Sequence, residues 1–97
     1  MSDFDLKFNL DLRIDDKAIA HLQQRLIDEN ADAMRIFVSG GGCCSRIEIT
    51  PVEKELAGDI TYERGGVTIH VDKALFEDTS SIEIEFDEKR GLLMNLN

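Results

Sequence analysis

The sequence predicts an α+β domain in which one main N-terminal helix precedes a series of short strands. Apolar and polar residues alternate in several short segments, which is typical of strands with one buried face. Only the segment near residues 17–30 shows the 3.6-residue period of an amphipathic helix. Short turns separate most of the strand segments, and such turns favour mostly antiparallel pairing.

The first two predicted elements are a strand and the helix. Residues 4–14 alternate strictly between apolar and polar side chains, which predicts a strand. Asp15 and Asp16 offer side-chain oxygens that would cap a helix beginning near Lys17 and ending near Asn30. His21 lies beside the apolar face of this helix and is interpreted as a surface residue. That face is predicted to contain Ala18, Ile19, Leu22, Leu26 and Ile27.

The rest of the chain is predicted to form strands and turns. A strand over residues 35–39 runs directly into a glycine-rich loop. The next strand is interrupted by Pro51, which predicts that it lies at a sheet edge or ends there. Residues 60–63 and 67–71 flank Arg64-Gly65-Gly66, which predicts a hairpin.

The second strand of this hairpin has one face predicted to be buried and one predicted to be solvated. Val67, Ile69 and Val71 are expected to point inward. His70 alternates with them and is therefore expected to be a solvated strand residue, although of the two histidines it is the better candidate for a metal ligand. A helical turn over residues 72–77 and two further strands, over residues 82–86 and 92–96, complete the prediction.

Length and charge limit the possible roles of the chain. Its 97 residues are expected to form a single domain over residues 1–97. The 20 acidic and 11 basic residues leave a net charge of −9, so we expect neither nucleic acid nor an anionic membrane as a partner. The first residues lack the pattern of a secretion signal, and no apolar run approaches membrane-spanning length. A cytoplasmic location is therefore expected.

The only two cysteines lie side by side in a glycine-rich loop, which reads Gly40, Gly41, Gly42, Cys43, Cys44, Ser45 and Arg46. Glycine gives the backbone access to conformations closed to other residues, and it lets another molecule approach closely. A phosphate-binding loop is not favoured, because no Lys-Ser/Thr pair and no helix pattern follow. Adjacent Cα atoms lie about 3.8 Å apart, too close for an unstrained disulfide, so any vicinal bridge would be labile. The loop predicts a site built on sulfur.

Four motifs occur in an order and spacing that resemble the HesB-like family, the A-type iron–sulfur carrier proteins, over about residues 10–97. Residues 14–22 are similar to the family's helix opening Thr-Asp-x-Ala-x-x-x-Leu. Residues 38–46 are similar to its Ser-Gly-Cys-Ser-Gly loop. Residues 66–75 are similar to Gly-Val-x-Val-x-Val-Asp-x-x-Ser/Ala-Leu. Residues 82–86 and 93–97 are similar to Ile-Asp-Tyr/Phe and a terminal Phe-x-Phe-x-Asn.

The resemblance implies a mostly antiparallel β-sandwich with one main N-terminal helix. It also implies iron or an iron–sulfur cluster as cofactor, and iron–sulfur assembly or redox proteins as partners. Family carriers hold the metal with the loop cysteine and a Cys-x-Cys pair near the C-terminus, whereas this sequence ends at Asn97, where that pair would begin. Either Cys43 or Cys44 matches the loop ligand. Small HesB-like proteins with Cys-Cys or Cys-selenocysteine in this loop imply a thiol or selenol site.

Three functions remain open from the sequence. In the first, Cys43 and Cys44 are ligands in a metal or cluster scaffold, and a homodimer or exogenous thiols complete the four thiolates that clusters usually take. In the second, they form a dithiol redox or sulfur-handling pair that Arg46 would help to activate, with His70 as an accessory group. In the third, the chain is a non-catalytic interaction domain. The resemblance favours the first, and no catalytic residue set is identified.

Overall fold

The order of helices and strands follows the sequence prediction. The computed structural model describes residues 10–40 and 46–97. It contains β1 (Asp11–Ile14), α1 (Asp16–Glu29), β2 (Ala33–Ser39), β3 (Arg46–Val52), β4 (Ile60–Arg64), β5 (Val67–Val71), α2 (Leu75–Asp78), β6 (Ser81–Asp87) and β7 (Gly91–Leu96). Residues 4–9 of the predicted first strand lie outside the described residues. Neither α1 nor α2 combines the length and apolar character needed to cross a membrane.

The strands form two sheets. One has the order β1-β6-β7 and the other the order β3-β2-β5-β4. Consecutive strands pair antiparallel in β2/β3, β4/β5 and β6/β7, as the short connections predict. β1/β6 and β2/β5 pair in parallel, which the sequence analysis did not predict. The predicted α+β class with mostly antiparallel strands is confirmed, and β3, which contains Pro51, is an edge strand as expected.

Helix α1 begins and ends at its predicted caps. The Asp15 carboxylate accepts a hydrogen bond from the Ala18 backbone N–H at 2.7 Å. Asn30 closes the helix in a left-handed conformation with φ of 54°. The predicted burial of Ile27 is wrong, because this side chain is 72% exposed. At 3.6 residues per turn, Ile27 lies about 180° around the helix from the fully buried Ala18.

One hydrophobic core joins α1 to both sheets. Two hydrogen bonds from β4 also reach the backbone at β1, an edge strand. The Tyr62 hydroxyl donates to the Leu10 carbonyl at 2.9 Å, and Arg64 Nε donates to the Leu12 carbonyl at 3.0 Å. These bonds satisfy carbonyls that would otherwise need water or another strand. The buried core residues are Leu10, Leu12, Ala18, Leu22, Met34, Ile36, Val67, Ile69, Val71, Leu75, Ile82 and Ile84.

The β4–β5 hairpin turn packs against α1. Gly65 and Gly66 have φ values of 57° and 81°, as the two central residues of a type I′ turn require. A Cβ added at Gly65 would lie 2.7 Å from Ile19 Cγ2, and the Gly65 carbonyl accepts a 2.7 Å hydrogen bond from Gln23 Nε2. Glycine at position 65 is therefore required by both its conformation and its neighbour.

Candidate cluster-binding loop

The cysteine-containing loop connects β2 to β3 at one end of the four-stranded sheet. These strands pair in unbroken register from Ala33 with Val52 to Ser39 with Arg46. Directly paired residues have Cα atoms about 5 Å apart, so the loop leaves and re-enters the sheet at nearly the same place. Of the predicted loop, Gly40 and Arg46 are described, whereas Gly41, Gly42, Cys43, Cys44 and Ser45 lie outside the described residues.

Gly40 begins the loop with φ of 78°. Residues other than glycine rarely adopt this left-handed backbone conformation, so the turn out of β2 explains the first glycine. From the sequence, the glycines were expected to give access to backbone conformations closed to other residues and to permit close approach by another molecule. At position 40 the backbone conformation is sufficient to explain the glycine.

The loop base is the pair Ser39 and Arg46, where the chain leaves β2 and enters β3. The outer face of the sheet is polar there. Paired residues share a face, so Ser39 and Arg46 lie on one side together with Phe37 and Glu48. The Ser39 hydroxyl donates a hydrogen bond to Glu48 Oε2 across the strands. Arg46 is exposed, and no carboxylate of the described residues lies within ion-pairing distance of it. The loop base thus presents the cationic side chain of Arg46, while the carboxylate of Glu48 on the same face is hydrogen-bonded to the Ser39 hydroxyl.

The inner side of the loop base is apolar. Val38 and Ile47, which are direct partners in β2 and β3, line a shallow cavity together with Leu96 of β7 and Arg46. Val38 is 40% exposed and Leu96 is 39% exposed, which is high for large apolar side chains. Apolar surface therefore remains accessible directly beside the cysteine-containing loop.

His70 does not occupy the solvated position predicted for it. It is only 6% exposed, and its Nδ1 lies 2.8 Å from the Thr61 hydroxyl. His70 pairs with Arg35 on β2 and with Thr61 on β4, so it is enclosed between two strands on the outer face. Arg35 precedes the loop base at Ser39 by four residues, about 13 Å along a strand. An accessory role for His70 at the loop stays a prediction.

A buried ionic cluster lies beside His70 and was not predicted from the sequence. Arg35 binds Asp59 through two hydrogen bonds, from Nε at 2.9 Å and from Nη2 at 3.0 Å. Arg35 Nη2 also lies 3.4 Å from Asp72 Oδ2. The side chains of Arg35 and Asp59 are 12% and 1% exposed. Since residues 35, 59 and 72 are distant in the sequence, only the folded chain reveals this cluster.

The cluster changes the pKa of both ionic partners. The hydrogen bond to Asp59 raises the pKa of Arg35, although burial acts in the opposite direction. Burial by itself would raise the pKa of Asp59. Hydrogen bonds from Arg35 and from the Leu56 backbone, together with the charges of Arg35 and His70, outweigh burial and lower the Asp59 pKa below its ordinary value. Asp59 is therefore held in its ionised form.

Asp72, the aspartate of the 66–75 motif, connects three elements of the fold. Its backbone N–H donates to the Ile36 carbonyl at 2.9 Å, and its carboxylate accepts from the Ala74 N–H at 3.0 Å. These contacts, with the one to Arg35, join the end of β5 to β2 and to the start of α2. The motif aspartate is a structural residue here.

His21, interpreted from the sequence as a surface residue, is half-buried. Its ring stacks on Phe86 with centroids 4.6 Å apart and an interplanar angle of 22°. The two rings and Lys17 line a shallow cleft between α1 and β6. Among residues 10–40 and 46–97, no three His, Asp or Glu side chains come together as a metal site.

Comparison with curated proteins identifies relatives of the chain. A family model described as iron-sulphur cluster biosynthesis matches residues 10–94. The iron-sulfur cluster insertion protein ErpA of Alkalilimnicola ehrlichii is 36% identical over 80 residues, which cover 79% of this chain and 66% of that protein. ErpA of Pseudomonas fluorescens is 34% identical over 73 residues, which cover 71% and 63%. The chain thus spans slightly less than two thirds of the length of these relatives.

Two solved structures show the same fold. Escherichia coli SufA, whose structure is described as involved in biosynthesis of iron-sulfur clusters, superimposes with a TM-score of 0.70 and 18% identity over 90% of this chain and 79% of SufA. IscA with the [2Fe-2S] cluster superimposes with a TM-score of 0.64 and 19% identity over 89% and 83%. The family match, the identity to ErpA and the shared fold agree with the resemblance of the sequence motifs. The chain belongs to the iron-sulphur cluster biosynthesis family, the HesB-like A-type carriers.

Proposed function

We propose that this protein carries an iron–sulfur cluster, or the iron from which one is built, on the loop that contains Cys43 and Cys44. One observation carries the proposal: the only two cysteines of a member of this family lie in a loop whose ends, Ser39 and Arg46, are paired in register. Thiolates are the ligands that iron–sulfur clusters take in proteins. The relatives named as cluster insertion proteins support the same role.

The number of thiolates in one chain sets the expected ratio of chains to clusters. One chain supplies two thiolates, whereas clusters usually take four. We propose that a second copy of the chain supplies the other two across a two-fold axis, or that exogenous thiols do so. Iron–sulfur assembly proteins and recipient proteins are the proposed partners, and the cytoplasm is the proposed location.

The test is anaerobic reconstitution with ferrous iron and sulfide. Visible absorption, bound iron and acid-labile sulfide are measured on the gel-filtered protein for the wild type, Cys43→Ser and Cys44→Ser. Ser45→Ala is the matched control, because it changes the same loop without removing a thiol. We expect a cluster chromophore in the wild type and in the control, and its loss in at least one cysteine variant. Light scattering on the same fractions then shows whether loaded protein is dimeric.

Two results would contradict the carrier role. A preparation that binds no iron, but whose two thiols disappear on mild oxidation, would favour a dithiol redox or sulfur-handling protein. A preparation that binds no iron and whose thiols resist oxidation would favour an interaction domain. A chromophore retained in the Cys43→Ser/Cys44→Ser double variant would show that the cluster is bound elsewhere.

A further inference from the structure

The loop base carries a local positive charge on an acidic protein. The chain has a net charge of −9, yet the residue that begins β3 directly after the loop is the exposed Arg46. Glu48 lies two residues further along β3 on the same face, so its carboxylate is within side-chain reach of Arg46. In the structure the Glu48 carboxylate instead accepts a hydrogen bond from the Ser39 hydroxyl.

From this arrangement we infer that Arg46 is the counter-charge of the cysteine site, and that Ser39 keeps Arg46 available by holding Glu48. The inference rests on the proposed function for its physiological meaning. Two ferric ions, two sulfides and four thiolates have a net charge of about −2 by formal counting. Placing this charge on an acidic chain is unfavourable unless a cation lies close by. Cys44 is two residues from Arg46, so their Cα atoms are at most about 7 Å apart.

Ser39 and Glu48 are positioning residues in this account. Without the Ser39 hydroxyl, Glu48 is free to pair with Arg46 and to cancel its charge. Ser39→Ala should then resemble Arg46→Gln. The double variant Ser39→Ala/Glu48→Gln should recover the wild-type attraction for anions or exceed it, because the competing carboxylate and its negative charge are removed together with its holder. A hydrogen bond that only stabilised the strands would not produce this rescue.

The first experiment uses the metal-free protein and does not depend on cluster binding. Thiol reaction rates are compared for the dianionic reagent 5,5′-dithiobis(2-nitrobenzoate) and for neutral 4,4′-dithiodipyridine. Both reagents react with the thiolate, so any difference in thiolate fraction between variants cancels in the ratio of the two rates. The ratio therefore measures how strongly the site attracts an anionic reagent. For a dianion about 7–13 Å from one positive charge in water, Arg46→Gln should lower the ratio about three- to sevenfold at low salt. The effect should decline at high salt.

Arg90→Gln is the matched control. It removes the same charge from an exposed arginine that follows β6, at the end of β7 opposite Leu96. We expect the rate ratio to stay unchanged in Arg90→Gln, to fall in Arg46→Gln and Ser39→Ala, and to recover in Ser39→Ala/Glu48→Gln. An equal ratio in Arg46→Gln and Arg90→Gln would overturn the role of Arg46. A normal ratio in Ser39→Ala would overturn the role of Ser39.

The second experiment uses the reconstituted protein. Removal of a nearby positive charge should lower the reduction potential of a bound cluster, because the reduced cluster is more negative. We expect the potential to fall in Arg46→Gln but not in Arg90→Gln. If the wild type binds no cluster, the proposed function fails while the rate ratio still decides the role of Arg46. If a cluster binds and neither measurement changes in Arg46→Gln, this inference fails and the carrier function stands.

Discussion

Asp59→Asn tests whether the buried ionic cluster holds the four-stranded sheet together. The substitution keeps the size of the side chain but removes the charge that pairs with Arg35. Asp59 is 1% exposed and receives two hydrogen bonds from Arg35 and one from the Leu56 N–H at 2.9 Å. Removing one partner of a buried pair typically costs about 3–5 kcal/mol. Because Asp72 still lies 3.4 Å from Arg35, we expect the lower end, about 3 kcal/mol.

The assay is urea unfolding, with the free energy obtained from the midpoint and a slope that should not change. In thermal unfolding the same loss corresponds to a decrease in Tm of roughly 12–24 °C for a domain of this size. Arg35→Met should cost more than Asp59→Asn, because it leaves the Asp59 carboxylate buried without its cation.

Asp11→Asn is the control. It removes the same charge from an ion pair with Arg13 in which both side chains are more than half exposed. Exposed pairs contribute about 0–1 kcal/mol, so we expect a small change. Equal losses of stability in Asp59→Asn and Asp11→Asn would show that the buried pair contributes no more than the exposed one, since burial is what distinguishes the two pairs.

Two further predictions concern acid and a hairpin turn. The lowered pKa of Asp59 contributes stability that is present above its ordinary value of 3.8 and is lost as pH falls through the folded-state pKa. The difference in urea midpoint between wild type and Asp59→Asn should therefore stay constant from pH 7 to pH 5 and narrow below about pH 4, and a difference that widens in acid would contradict this. Gly65→Ala should destabilise by about 1–3 kcal/mol, because φ is 57° and the new Cβ would meet Ile19 at 2.7 Å. Gly91→Ala, with φ of 84° and open space, should cost less by urea unfolding, and equal costs would show that the contact with Ile19 is unimportant.

Local features were predictable from the sequence. The capping oxygen of Asp15 and the left-handed Asn30 act within one turn of the helix they bound. Two adjacent glycines specify the β4–β5 turn, and Pro51 indicates an edge strand. Each of these signals depends on residues a few positions apart, so the linear pattern contains it. The order of motifs along the chain likewise indicates the family.

Longer-range features were not predictable in this way. The parallel pairings β1/β6 and β2/β5 join distant strands: two helices and four strands separate β1 from β6, and two strands separate β2 from β5. No turn residue specifies such pairings. The burial of His70 follows from its neighbours Arg35 and Thr61, because alternation identifies the face of a strand but not what covers that face. The ionic cluster of Arg35, Asp59 and Asp72 depends on the same pairings.

At the candidate site, the linear sequence identifies the thiols that we propose as iron ligands, since Cys43 and Cys44 are its only cysteines and lie together. What surrounds the base of their loop depends on the folded chain. The register of β2 and β3 brings Ser39 to Glu48 and leaves Arg46 exposed beside the loop. Ligand chemistry belongs to single side chains and can be read along the chain, whereas charge placement depends on which strands become neighbours.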